Sequence, residues 1–136
     1  MRVEELSVGD WVFHLAEMQA GRISHIYRTG GIYSIGLDCA DCVVICGIND
    51  IAPIAITPVI LEKNGFTLCE ACTSRWKKEF SSCCVFVTAP EGYASVTVYE
   101  RVAHGHRRVI DDLQLNGVHQ LQRALRLAGI EKEIEL

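Results

Sequence analysis

The amino-acid sequence predicts an α+β fold: a small N-terminal SH3-like or OB-like β-barrel, a short connecting helix, then an antiparallel sheet with a C-terminal helix. Three observations carry that expectation. Short apolar segments with period-two alternation, split by turn residues, fill about the first sixty residues. One stretch, "ITPVILEKNGF", has a helix start signal and a helix stop signal. Near the C-terminus, "NGVHQLQRALRLAGI" changes to a three- and four-residue period.

The elements follow in chain order. "WVFHL" comes after a Gly9-Asp10 turn signal and reads as a strand. "GRISHIYR" alternates, with Ile23, His25 and Tyr27 expected on one face. Gly30-Gly31 supplies the positive φ of a tight hairpin turn into "IYSIGL". "CVVIC" is β-branched and reads as a buried strand, and "IAPIAI" as an edge strand, because Pro53 cannot donate to a ladder. These five segments make residues 1–57 the barrel-like part of a single compact unit spanning 1–136. In the part that follows, 58–136, Thr57 suits an N-cap, Pro58 the first helical position and Gly65 a left-handed C-terminal residue, which predicts a helix over Pro58 to Asn64. "FTLCEAC", "CCVFVT", "YASVTVYERV" and "HRRVI" read as strands, with "APEG" as the turn between the middle two. In the last helix Val118, Leu121, Leu125 and Ala128 form the apolar stripe, and His119, Gln122, Arg123 and Arg126 fall opposite it. The tail "KEIEL" reads as a last edge strand.

Composition narrows the function classes. The chain has 136 residues, 49% of them hydrophobic, enough for a core without staples. The charged opening "MRVEELSVGDW" lacks an apolar signal region, and "IAPIAITPVIL" is too short and too proline-broken to span a bilayer. A cytoplasmic protein with reduced thiols and no membrane partner is expected, and an odd count of seven cysteines agrees. A net charge of −4 disfavours binding by phosphate neutralisation. Trp76, Lys77 and Lys78 in "RWKK" are the candidate stacking and phosphate contacts should nucleic acid bind.

Two Cys-x-x-Cys pairs, Cys39/Cys42 and Cys69/Cys72, have the spacing of a four-thiolate zinc site. Against zinc, Val43, Val44 and Ile45 favour extended chain, and in a continuous strand Cys39 and Cys42 would point to opposite faces. Cys46, Cys83 and Cys84 are left over. Packing of the cysteines as small apolar core residues is therefore the first expectation, with no metal or other cofactor, and zinc is the alternative. A mixed site of His104 and His106 with Cys83 or Cys84 has no spacing rule behind it. No nucleophile elbow, P-loop, dinucleotide fingerprint or His-Glu-x-x-His motif occurs, so no catalytic residue is nominated.

"DIAPIAITPVILEKNGF" (Asp50 to Phe66), "VHQLQRAL" (Val118 to Leu125) and the "GDWV" at Gly9 together resemble a family of small uncharacterised proteins from gut bacteria and their phages or prophages. That family shares "PIPLTPEILEKNGF" and a later "VHQLQ"; this chain departs at Ala55 and Val59, where the pattern has Pro and Glu. The resemblance covers about a fifth of the chain, with the motifs in the same order and the cysteine pairs outside them. It implies no activity, cofactor or site residue. What it implies, with the missing catalytic motifs, is a non-enzymatic cytoplasmic protein of phage or mobile-element origin, acting through contact with a protein partner or with itself. A zinc-stabilised adaptor or nucleic-acid-binding module on Cys39, Cys42, Cys69 and Cys72 is the alternative.

Overall fold

A computed structural model describes residues 1–89 and 93–136. The expected turn "APEG" falls largely on residues 90–92, outside the described residues. The fold is mostly antiparallel β in two five-stranded sheets, one of them curled into a half-barrel, with two α-helices. The chain divides into two compact units, Met1–Ile54 and Ala55–Leu136. Among the described residues no helix is long and apolar enough to cross a membrane.

The first unit contains β1 (Trp11–His14), β2 (Gln19–Thr29), β3 (Ile32–Cys39), β4 (Val43–Cys46) and β5 (Ile51–Ala52). They lie in the order β4-β3-β2-β1-β5, and a 3-10 turn, Ile48–Asp50, leads into β5. Pro53 follows the last ladder residue, where its missing N–H costs nothing. The core is Leu6, Val12, Ile23, Ile35, Leu37 and Ile51. One expectation for β2 needs correcting. The ladder shifts register between Ile23 and His25, so Ile23 and Ile26 pack on the core while the rings of His25 and Tyr27 stack at 5.4 Å. Such an extra residue bends a strand and re-aims the side chains beyond it. The His25 ring lies over Gly36, where a Cβ would come within 2.0–2.5 Å of it. Only glycine leaves that space.

The second unit opens with α1 (Pro58–Lys63). Its signals act as read: the Thr57 hydroxyl accepts from the Ile60 N–H at 3.3 Å, and Gly65 takes φ 81°. The Phe66 N–H then reaches back to the Leu61 carbonyl. Next come β6 (Thr67–Leu68), β7 (Arg75–Glu79), β8 (Cys83–Thr88), β9 (Ala94–Val102) and β10 (Gly105–Leu115), each antiparallel to the one before it. One sheet face, with Trp76, Val85, Val87, Val96 and Val98, is buried. So is the stripe of α2 (Val118–Leu127), which packs beside β10.

Two expectations about the C-terminal region are overturned. His119 and Gln122 are buried rather than facing outward. The tail "KEIEL" forms no strand, because side-chain amides occupy its backbone. The Gln122 carbonyl oxygen accepts from the Ile134 N–H at 2.5 Å and its amide donates to the Lys132 carbonyl at 3.3 Å. Asn64, capping α1, brackets Glu135 by donating to its carbonyl at 2.7 Å and accepting from its N–H at 2.8 Å. A tail satisfied this way buries Ile134 without joining a sheet.

Gln122→Ala removes the acceptor that meets the buried Ile134 N–H and the donor that meets the Lys132 carbonyl. Urea unfolding is expected to show a loss of about 1–3 kcal/mol with unchanged far-UV circular dichroism.

Candidate partner-binding face

Period-two alternation gives the second sheet its other face. On β7, Trp76 and Lys78 turn to the buried side, so Arg75, Lys77 and Glu79 turn outward. On β8 the buried Val85 and Val87 put Phe86 and Thr88 outward, and on β9 the buried Val96 and Val98 do the same for Thr97 and Tyr99. Phe86 sits at the centre, opposite Lys77 on one side and Thr97 on the other.

The outward side chains interlock. The Arg75 guanidinium lies 4.1 Å over the Phe86 ring, and the Lys77 ammonium approaches the same ring at 5.9 Å. Tyr99 meets Phe86 edge-on, centroids 5.7 Å apart and planes at 88°. Arg108 stacks on Tyr99 at 5.4 Å and donates to its hydroxyl at 3.2 Å and to Asp111 at 3.0 Å. A bulge in β10 sets this up: Asp112 takes φ 45°, and its N–H is held by the Thr97 hydroxyl at 3.0 Å. Arg75, Phe86 and Tyr99 thus form a ridge between two open hollows. One, of about 320 Å³, reaches Lys77, Glu79, Cys84 and His106. The other, of about 420 Å³, reaches Cys72, Thr88, Thr97 and Arg108.

Most cations of this region already have a carboxylate. Lys77 and Arg101 share Glu79 at 3.0 and 3.3 Å, Arg107 pairs with Glu100, and Arg108 with Asp111. The hydrogen bond and charge of Lys77, then the charge of Arg101, hold the Glu79 carboxyl below the usual range. Burial pushes the Cys84 thiol up, only partly opposed by Lys77. A thiol kept protonated is a poor nucleophile.

The nominated residues Trp76, Lys77 and Lys78 do not form one surface. Trp76 is 6% exposed, too enclosed to stack on a base. Lys78 points to the helix side, donating to the Asn64 carbonyl at 2.6 Å beside the rings of Phe66 and Phe80, and burial lowers its pKa. Only Lys77 reaches the open face. Arg75, Phe86, Tyr99 and Arg108 were missed as a group. Their signal was an aromatic residue at the polar phase of a valine-alternating strand.

The cysteines also depart from expectation. Cys83 and Cys84 are buried, but Cys42 and Cys72 are exposed and Cys39, Cys46 and Cys69 lie between. Cys39 and Cys46 pack against the first unit's core as expected, whereas Cys42 and Cys72, at the far ends of the two Cys-x-x-Cys turns, are exposed. The Cys39 N–H donates to the Cys42 carbonyl at 2.9 Å, directly across a two-residue hairpin loop. Cys39 and Cys42 thus stand directly opposite one another across the turn, where continuous strand would have pointed them to opposite faces. Burial first, and the neighbouring Cys42 second, raise the Cys39 pKa. The Cys72 N–H donates to the Cys69 carbonyl at 3.2 Å, a turn within the longer loop that the Cys69 N–H closes on the Arg75 carbonyl at 2.8 Å. Cys39 and Cys42 belong to the first unit, Cys69 and Cys72 to the second. His106 and Cys84 line the same hollow, which His104 does not reach. Among the described residues no three or more His, Cys, Asp or Glu side chains are grouped to hold a metal ion.

Comparison of the chain with protein-family models, with curated proteins and with solved structures returns no match.

Thiol accessibility gives a direct check. Iodoacetamide is expected to label Cys42 and Cys72 first in the native protein, and Cys83 and Cys84 only after unfolding, read by peptide mass mapping.

Proposed function

We propose that this chain is a non-enzymatic, cytoplasmic protein-contact module of phage or mobile-element origin, and that it holds a protein partner on the open face of β7 to β10. The observation that carries this reading is the Arg75–Phe86–Tyr99 ridge, an uncovered cluster of the residue types that dominate protein interface energetics. The flanking ion pairs favour a protein over a polyanion. Phosphates would have to displace Glu79 and Asp111 from cations those residues already satisfy. Burial of Cys84, which raises its thiol pKa, gives the hollow no activated nucleophile and supports a binding role. The origin rests on the family resemblance, and the location on the accessible free thiols of Cys42 and Cys72. We also read the first unit as SH3-like rather than OB-like. Its order β4-β3-β2-β1-β5, with a 3-10 turn between β4 and β5, supports that choice.

A photoreactive residue at Thr88, beside the ridge, is expected to crosslink one protein species from gut-bacterial extract. Arg75→Ala and Tyr99→Ala should each reduce the yield at least tenfold. Crosslinking to nucleic acid instead, or salt-sensitive binding of single-stranded oligonucleotides, would replace this reading with a nucleic-acid module.

The exposed Cys-x-x-Cys turns favour a second reading, the zinc-stabilised module. Metal analysis of protein purified without chelators separates the two. The protein-contact reading expects less than about a tenth of a zinc per chain. About one zinc per chain, lost with Cys39→Ser and with a drop in melting temperature on chelation, would establish the second.

A further inference from the structure

The free sheet edges are not alike. β5 and β6 have two residues each, too short to template a neighbour. β10 is long but broken by two register shifts, the positive φ of Asp112, and charges at Arg107, Arg108 and Asp111. Those are the devices by which edge strands avoid pairing. β4 has none of them. It is uncharged, keeps regular register with β3 from Ile35 opposite Cys46 to Asp38 opposite Val43, and exposes Val43 (68%) and Ile45 (63%).

Its hydrogen-bond phase fixes which groups are free. Cys39 and Cys42 form a hydrogen-bonded pair, so Val44 and Cys46 also direct their amides to β3. The N–H and C=O of Val43 and Ile45 therefore point to the open edge.

We propose that β4 pairs antiparallel with β4 of a second copy of this chain, about a two-fold axis through Val44. This phase makes the strand self-complementary. Val43 falls opposite Ile45 of the second copy, and the two pairs exchange four backbone hydrogen bonds. The exposed apolar side chains of both copies then cover one another on the outer face. No like charges meet within the ladder, since Asp41 lies beyond its end. Cys42 falls opposite Cys46 of the second copy at a non-hydrogen-bonded position, where cross-strand side chains approach most closely. The join is small and belongs to the first unit, whereas the open face of β7 to β10 belongs to the second.

Sedimentation equilibrium tests it. The wild-type mass is expected to rise from one chain towards two between about 10 μM and about 1 mM, as for a small interface. The double variant Val43→Lys with Ile45→Lys, whose exposed positions leave the core intact, should stay monomeric with unchanged circular dichroism. A crosslink fixes the register. In the Cys39→Ser background, which removes the cross-turn neighbour of Cys42, oxidised glutathione takes two electrons from Cys42 and Cys46 of the second copy. That forms one disulfide and releases two glutathione thiols. Peptide mapping should find this bond, and Cys42→Ser should abolish it. A wild-type chain monomeric at every concentration overturns the proposal. So does a dimer that survives the lysine pair, or one lost through Arg75→Ala instead.

Discussion

Period-two alternation on β8 and β9 is the constraint from which the second unit follows. Val85, Val87, Val96 and Val98 are each 0% exposed, and a one-residue slip of either strand would turn its valines to the opposite face. Full burial of a valine side chain contributes about 1.5–3 kcal/mol, so the phase of the strands is strongly fixed. That phase has a second consequence. It obliges Phe86 and Tyr99 to stand on the opposite face, where they line two open hollows. The ridge of the candidate site is the reverse side of the core.

Position on the sheet then gives each polar group its chemistry. Arg75 lies on an aromatic ring, while Lys77, Arg101 and Arg108 lie against carboxylates. These ion pairs are exposed and contribute little to stability. Their effect is on recognition: they reduce the attraction for polyanions and leave a mixed-charge rim around an aromatic centre, the arrangement common in protein interfaces. Lys78, one residue from Lys77, does something unrelated. It closes the end of α1 through the Asn64 carbonyl. Adjacent lysines in "RWKK" serve opposite sides of one sheet.

The C-terminal region shows how a pattern argument fails. The stripe of α2 was legible, and Val118, Leu121 and Leu125 are buried as read. Gln122 was assigned outward as lying off the stripe of Val118, Leu121, Leu125 and Ala128, although it stands four residues after Val118 and three before Leu125. Here a returning tail supplies its partners, and Gln122 with Asn64 binds that segment in place of a strand neighbour. Period analysis assigns faces relative to one surface, and α2 has a second surface made by residues beyond its own end. The cysteines failed for a related reason. "DCADC" was read as strand running into strand, but Ala40 and Asp41 form a two-residue turn, which puts Cys39 and Cys42 side by side.

What the sequence by itself determined is local: both helices with their glycine endings, the Gly30-Gly31 turn, the succession of short strands, and the alternation that divides core from surface. Each depends on φ preferences, caps or a period within one segment. Only the tertiary structure decided which strands became edges, that the β2 register shift separates Ile23 from His25, and that Gln122 is buried. It also decided that residues from three strands converge around Phe86. Those outcomes depend on which surfaces meet across long stretches of chain, and no single segment carries that information.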